Sequence, residues 1–219
     1  MIITIDGPAG VGKTTVGKLT AKKLHFGFLD TGIMYRALTW FLLNNNLENV
    51  SQKKITNHIN NLNFDLNIKN LKTTNIWIDK VNVTKLLNTS QIEKHVSKIS
   101  SYQEIRKIMV LKQQDIVKNI SSIVVGRDIG TIVLPNAELK FYLTASPKVR
   151  AKRRFSQISK KIPYEQVLAD IIERDKLDMS RKFAPLKVPQ NAIIIDTEKK
   201  DLNKVANEII EKTKNEPSL

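Results

Sequence analysis

The chain of 219 residues has no cysteine. Disulfides, thiolate metal sites and thiol chemistry are thereby excluded, and the composition suits the cytosol. No stretch approaches the ~20 consecutive apolar residues of a membrane span. Apolar residues still make up 41% of the chain, enough for a full core. The start lacks a charged segment followed by a long apolar one, so no signal peptide is expected. Acidic residues are few, 21 against 36 basic ones, which leaves a formal charge of +15. Arginine is scarcer still. Arg36, Arg106, Arg127, Arg150, Arg153, Arg154, Arg174 and Arg181 are the only ones, and lysine supplies the other basic residues. A guanidinium offers a planar, bidentate fork for phosphate or carboxylate that an ammonium cannot imitate. In a chain that uses lysine by default, each arginine position is informative, although any one alone would also serve as a surface ion pair. The positive charge fits a nucleic-acid binder, an enzyme of polyphosphates or a lysine-biased composition.

The most specific motif comes first. Gly7-Pro8-Ala9-Gly10-Val11-Gly12-Lys13-Thr14 fits G-x-x-x-x-G-K-[ST], a phosphate cradle when it joins a strand to a helix. The context agrees. Ile2 to Ile5 reads as a buried strand, and Val16, Leu19, Thr20 and Leu24 follow helical spacing. Glycines let backbone N–H groups turn onto phosphate oxygens, and the helix N-terminus adds favourable partial charge. Lys13 supplies a charge for the outer phosphates, and the Thr14 hydroxyl can ligate Mg²⁺.

Further strands are expected at Phe26 to Asp30, Ser121 to Val125, Leu139 to Leu143 and Ala192 to Ile195. Helices are expected from Thr31 through Leu42, around Ile92, from Glu104 to about Asn119, after Pro147, from Tyr164 to about Asp178, and from Leu202 to Lys214. The helix after Pro147 is expected to break near Lys160 to Pro163. Residues 44 to 90 are rich in Asn. Phe64, Leu66, Ile68, Ile76 and Ile78 form stripes of period two there, which predicts an appended β-region. The alternation of strand and helix predicts an α/β fold with a parallel sheet covered on both faces.

Several phosphate-handling classes are tested by their motifs. The guanine-reading Asn-Lys-x-Asp is absent, since Asn203-Lys204-Val205-Ala206 lacks the acid. A protein kinase's His-Arg-Asp loop and a transport ATPase's Leu-Ser-Gly-Gly are absent as well. A small kinase that passes phosphate from ATP to a small acceptor remains, beside a nucleotide-dependent regulator.

The segments IDGPAGVGKTT, FLDTGIMYRAL, VVGRDIGT with VLPNAELKFYLTAS, IIERDKLDMSRKFAPL and AIIIDT run in order from Ile3 to about Thr197. Together they resemble the bacterial cytidylate kinases, nucleoside monophosphate kinases that phosphorylate CMP and dCMP with ATP. The Asp30-Thr31-Gly32-x-x-Tyr35-Arg36 and Gly126-Arg127-Asp128-x-Gly130-Thr131 motifs carry the resemblance more specifically than the phosphate loop does. It implies a P-loop nucleoside monophosphate kinase fold: a five-stranded parallel sheet flanked by helices, an enlarged monophosphate-binding insert and a mobile lid. The implied core is about 1–36, 120–150 and 179–219, the monophosphate-binding region about 37–119 and the lid about 151–178. Gly7 to Thr15, with Thr14 on Mg²⁺ and Thr15 beside it, would hold ATP, aided by lid contacts from Arg150 and Arg154. Arg36, Arg127 and Arg181 would hold the acceptor phosphate, with Lys13, Arg127 and Arg181 as catalytic groups. Ser97, Arg106 and Asp128 would read cytosine. Tyr35, Arg174 and Asp178 would line the ribose, and Thr31 belongs to the same acceptor site. The resemblance further implies a cytoplasmic monomer with no membrane or nucleic-acid partner.

The chemistry agrees in part on its own terms. Cytosine presents an N4 amino donor that a carboxylate accepts, and acceptors that an arginine serves. Uracil would set a carbonyl against Asp128, and an unpaired buried group costs about 1–3 kcal/mol. Asp128 could equally pair with its neighbour Arg127. Arg174, Asp178 and Arg181 stand at i, i+4 and i+7, one helix face if helix continues, as in a surface ion-pair ladder. The resemblance departs at Leu87-Asn88, where many relatives have Ile-Arg. It departs also at Val125, where no acid can help order the Mg²⁺ shell.

Overall fold

The structure, a computed structural model, describes residues 1–49, 51–69, 75–158 and 162–215. Five parallel strands form the central sheet: β1 (Ile2–Asp6), β2 (Gly27–Asp30), β6 (Ser122–Val125), β7 (Leu139–Thr144) and β8 (Ile193–Asp196), in the order β2-β6-β1-β7-β8. β1 lies between β6 and β7, with Ile3 opposite Ile123 on one side and Leu139 on the other. The inner strands β1 and β6 are short, β-branched and almost wholly buried, as a doubly covered parallel sheet requires, while the edge strand β8 leaves Ile194 exposed. All five expected strands are present within one or two residues.

Alternate side chains feed two separate cores. Ile3, Ile5, Ile123, Val125 and Phe141 meet α1 (Lys13–Leu24) and α8 (Leu202–Lys214). On the other face Leu29 and Val124 join a larger cluster with α2 (Thr31–Asn44), α4 (Ser90–Ile99) and α5 (Gln103–Val117). Gly17 lets α1 lie flat on the sheet, because a Cβ there would stand 2.7 Å from Val125 and 2.8 Å from Phe28.

The small appended β-region of the stretch 44–90 is present, within the segments Asn63 to Ile68 and Asn75 to Val83 that alternate in the β manner. Three short antiparallel strands, β3 (Phe64–Leu66), β4 (Ile76–Ile78) and β5 (Val81–Asn82), form a small second sheet. Before them lies a helix, α3 (Gln52–Asn61), which the sequence pattern does not predict. Its apolar signal is the single i,i+4 pair Ile55 and Ile59, both fully buried, set among polar residues that include three Asn and one Thr of modest helix propensity. Tertiary burial of that pair, not propensity, stabilises the helix. Residues 50 and 70–74 of this stretch lie outside the described residues.

The last helical pair, α6 (Pro147–Gln157) and α7 (Tyr164–Met179), packs around Ala151, Val167 and Ile171. Phe155 and Tyr164 meet edge to face at 6.0 Å. The expected break near Lys160 to Pro163 falls between the two helices, with residues 159–161 outside the described residues. Among the described residues no helix is long and apolar enough to cross a membrane.

The insert shares its core with α2, α4 and α5, so it unfolds with them. Ile59→Ala is expected to lower stability by about 2–5 kcal/mol. Urea titration followed by circular dichroism should show one transition shifted to lower denaturant. A separate early transition for the insert would contradict the shared core.

Candidate active site

The strands deliver their C-terminal ends to one edge, the usual place for a site in an open α/β sheet. Gly7 leaves β1 at φ 147°, and a Cβ on it would lie 2.3 Å from the Leu143 carbonyl oxygen. Gly12 caps α1 at φ 101°. These two positions admit no side chain at acceptable strain, which is the constraint a phosphate cradle imposes. Lys13 is buried and donates to the carbonyls of Gly7 and Pro8, each at 2.7 Å. Burial, then the charge of Arg127, pulls the Lys13 pKa well below the ordinary lysine value, against Asp30, Asp6 and Asp178. The charge of Arg127 is thus felt at the loop lysine. The Thr14 hydroxyl donates to Asp30 Oδ2 at 2.7 Å, while Asp30 Oδ1 caps α2 by accepting from Gly32 N. Thr15 is exposed in the first turn of α1. The donor set at Thr14, a hydroxyl beside a carboxylate, suits a hard cation that keeps most of its shell in phosphate and water oxygens.

Asp178 organises the second half of the site. It lies in the last turn of α7, buried, with Oδ2 accepting from Arg127 Nε at 3.0 Å and Oδ1 paired with Arg181. Burial alone would raise its pKa, but Arg127, Arg181 and Arg174 outweigh burial and hold it below the usual carboxylate range. Burial and the charge of Arg127 lower the Arg174 pKa to about 10, so the group stays charged at neutral pH. The helix stops at Met179, so Arg181 reaches Asp178 from the turn that follows rather than along a continuous helix face. Arg181 also donates to the Ser100 hydroxyl at 3.3 Å, bringing the end of α4 into the cluster.

Beside this cluster Arg106 and Asp128 form a buried ion pair. Asp128 thus pairs across the site with Arg106, while its neighbour Arg127 turns to Asp178. Arg106 donates to the Ser100 carbonyl at 2.9 Å and lies over the Tyr35 ring, 5.3 Å from its centre. Tyr35 is buried, and burial pushes its pKa up to about 12, so it stays neutral. Ser97 sits half-buried one turn before Ser100, whose hydroxyl donates to its carbonyl. Thr31 is buried and donates to the Val125 carbonyl at 3.0 Å, tying α2 to the end of β6.

The remaining arginines have protein partners. Arg36 donates to the Leu87 carbonyl at 3.3 Å and lies 3.6 Å from Glu93, which also pairs with Arg154. One carboxylate on α4 therefore joins an arginine of α2 to one of α6. Arg150 is buried, with its guanidinium committed to Ala145 O, Ala9 O and Asp175. Arg153 donates to the Thr197 hydroxyl at 3.0 Å and to its carbonyl.

Sequence reasoning missed Asp30 as partner of Thr14, Glu93 as partner of two arginines, and Asp6. Asp6 is fully buried, and its two oxygens accept from Ile129 N and Gly130 N at 2.8 Å each. These N–H groups open a π-helical turn, Ile129–Val133, directly after Arg127-Asp128. A carboxylate at the head of β1 thereby holds the Gly126-to-Gly130 turn in place. An acid at the end of an apolar strand, in a chain poor in acids, was the available signal.

A family model described as "Cytidylate kinase" matches residues 3–215. The chain is 40% identical over 212 residues to a cytidylate kinase of Caldicellulosiruptor bescii, covering 95% of this chain and 93% of that protein. It is 42% identical over 214 residues to a bifunctional pantoate ligase/cytidylate kinase of Prochlorococcus marinus, where it covers 96% of this chain but spans only 42% of the relative's length. A shikimate kinase structure from Bacteroides thetaiotaomicron superposes with a TM-score of 0.51 at 15% identity, covering 98% of each chain. At that identity the likeness supports the fold alone.

Asp6 makes a testable contribution to pH dependence. Burial lifts its pKa from 3.8 to about 6 despite the two N–H donors. A folded-state pKa above the unfolded one means that the native state binds the proton first. Stability from this group is full below pH 3.8 and is lost as pH rises through about 6. The difference amounts to about 3 kcal/mol. Between pH 7 and pH 4 the Asp6→Asn variant should lose that slope relative to the unmodified chain in urea titrations. Parallel profiles would contradict the assignment.

Proposed function

The chain belongs to the cytidylate kinase family, and from that membership we propose that it transfers the terminal phosphate of ATP to CMP or dCMP, giving ADP and CDP or dCDP. The single observation that carries this reading is the buried Arg106–Asp128 pair set against the Asp178–Arg127–Arg181 cluster, with Lys13 of the phosphate loop close by. These side chains set a donor and an acceptor for a base edge beside a group of guanidiniums for a phosphate.

The phosphate loop, Gly7 to Thr15, holds the ATP phosphates, and Lys13 swings from the Gly7 and Pro8 carbonyls to their charge. A polyphosphate restores the pKa that burial and Arg127 depress. Arg127 and Arg181, set by Asp178, bind the acceptor phosphate together with Arg36. The acceptor oxygen is already anionic near neutral pH, so no general base is required. What the chain supplies is alignment of two anions and stabilisation of a loose transition state by fixed positive charge. Asp128 accepts from the cytosine amino group and Arg106 donates to its ring acceptors, with Ser97 nearby. Arg174, Tyr35 and Asp178 face the sugar, and Thr31 fixes α2 behind it. Thr14, with Asp30 behind it, would hold Mg²⁺. Bound there, the ion would neutralise charge on the ATP phosphates. The lid region about 151–178, of which the structure describes 151–158 and 162–178, would exclude water from the transfer, with Arg154 among its contacts. Arg150 contributes by holding the loop carbonyl of Ala9. The chain acts in the cytoplasm as a monomer.

The test is ADP formation from Mg-ATP with CMP, dCMP, UMP, AMP and shikimate as acceptors at fixed salt. Fast turnover with CMP and dCMP, and at least about tenfold lower kcat/KM with UMP, is expected from one unpaired buried group. Equal CMP and UMP rates would overturn the base-reading role of Asp128 and Arg106. ATP binding without turnover on any acceptor would overturn the kinase reading in favour of a nucleotide-binding regulator.

A further inference from the structure

We infer that Asp175 is a positioning residue for the ATP half of the reaction, holding the phosphate-loop backbone through Arg150. The inference rests on the kinase reading for its meaning and on the geometry for its substance.

Asp175 lies on α7, largely buried, with Oδ2 2.6 Å from Arg150 Nη2. Arg150 sits in α6, also buried, and every nitrogen of its guanidinium has a separate task. Nε donates to the Ala145 carbonyl at 2.9 Å, Nη1 donates to the Ala9 carbonyl at 3.0 Å, and Nη2 faces Asp175. A planar fork with three fixed contacts has one orientation. Ala9 is the middle of the phosphate loop, and its neighbour Gly10 runs so close that a Cβ there would stand 3.3 Å from Arg150 Cβ. The loop therefore leans on Arg150, and the charge of Arg150 is balanced by Asp175.

The partner on the same helix gives this pair its functional weight. Asp178 follows Asp175 by three residues, so the two carboxylates share a face of α7. Asp178 holds Arg127 and Arg181, the acceptor-phosphate arginines. One helix thus holds the donor loop through one carboxylate and the acceptor pocket through another. Loss of charge at position 175 leaves a buried guanidinium without its counterion and frees the Ala9 carbonyl contact, while the acceptor pocket keeps Asp178.

The experiment is calorimetric titration of ATP, and separately of CMP, into the full chain and its Asp175→Asn variant, with steady-state KM for both substrates alongside. The expected result is ATP affinity weakened about tenfold, the scale of one charge-assisted hydrogen bond, with CMP affinity changed less than about twofold. Asp175→Glu, which restores the charge, should recover most of the ATP affinity. Equal weakening of both substrates, or a fall in melting temperature with both affinities intact, would overturn the inference. If Asp175→Asn does not fold, Arg150→Lys carries the same test, since an ammonium cannot make three fixed contacts, and the same two outcomes decide. Absence of CMP phosphorylation by the unmodified chain would defeat the kinase reading, while the ATP titration would still decide the role of Asp175.

Discussion

Gathering Arg127, Arg181 and Arg174 into one largely buried pocket is electrostatically unfavourable, because like charges repel more strongly where water is excluded. Asp178 offsets that repulsion. Both its oxygens are taken by guanidiniums, and its ionised form is held below the usual carboxylate range although burial works the other way. Arg174 shows both costs: burial first, and then the charge of Arg127, lower its pKa to about 10, against the opposing charge of Asp178. Without Asp178 the arginines would have to spread apart or find water. The arginine cluster exists because one acid on α7 holds its cations at close quarters.

That acid is useful only because the fold brings distant segments to the same sheet edge. Arg127 comes from the turn after β6, Arg181 from the turn after α7, and Arg106 from α5. Asp6, at the end of β1, fixes the turn that carries Arg127 and Asp128 by accepting two of its N–H groups. Asp30, at the end of β2, does two jobs with two oxygens, one for Thr14 and one for the cap of α2. The scarcity of acids is therefore misleading as a measure of their weight. Asp6, Asp30, Glu93, Asp128, Asp175 and Asp178 each hold cationic or N–H groups at the site, and most of the arginines depend on them.

The sheet was legible in the sequence because its strands are short apolar runs that end at glycines, acids or turn residues. The phosphate loop was legible because its spacing has one structural use. The arginine positions stood out against a lysine background, and the structure brings Arg127, Arg174 and Arg181 around Asp178. Pairing was harder to read. Asp128 could have met Arg127, yet the turn held by Asp6 separates them and sends Asp128 to Arg106. Helix α3 was hidden because two isoleucines in a polar run give too weak a period. Arg150 looked like a free lid contact, whereas its burial commits it to protein groups. Each of these depends on a contact between residues far apart in the chain, which local pattern does not encode.

Asp178 carries the greatest weight, because it alone holds Arg127 and Arg181 together among the described residues. Calorimetric titration of CMP into the Asp178→Asn variant measures this without any turnover. The account predicts CMP binding weakened by about tenfold or more, since two charged contacts lose their partner, with ATP binding nearly unchanged. CMP binding as tight as in the unmodified chain would contradict it.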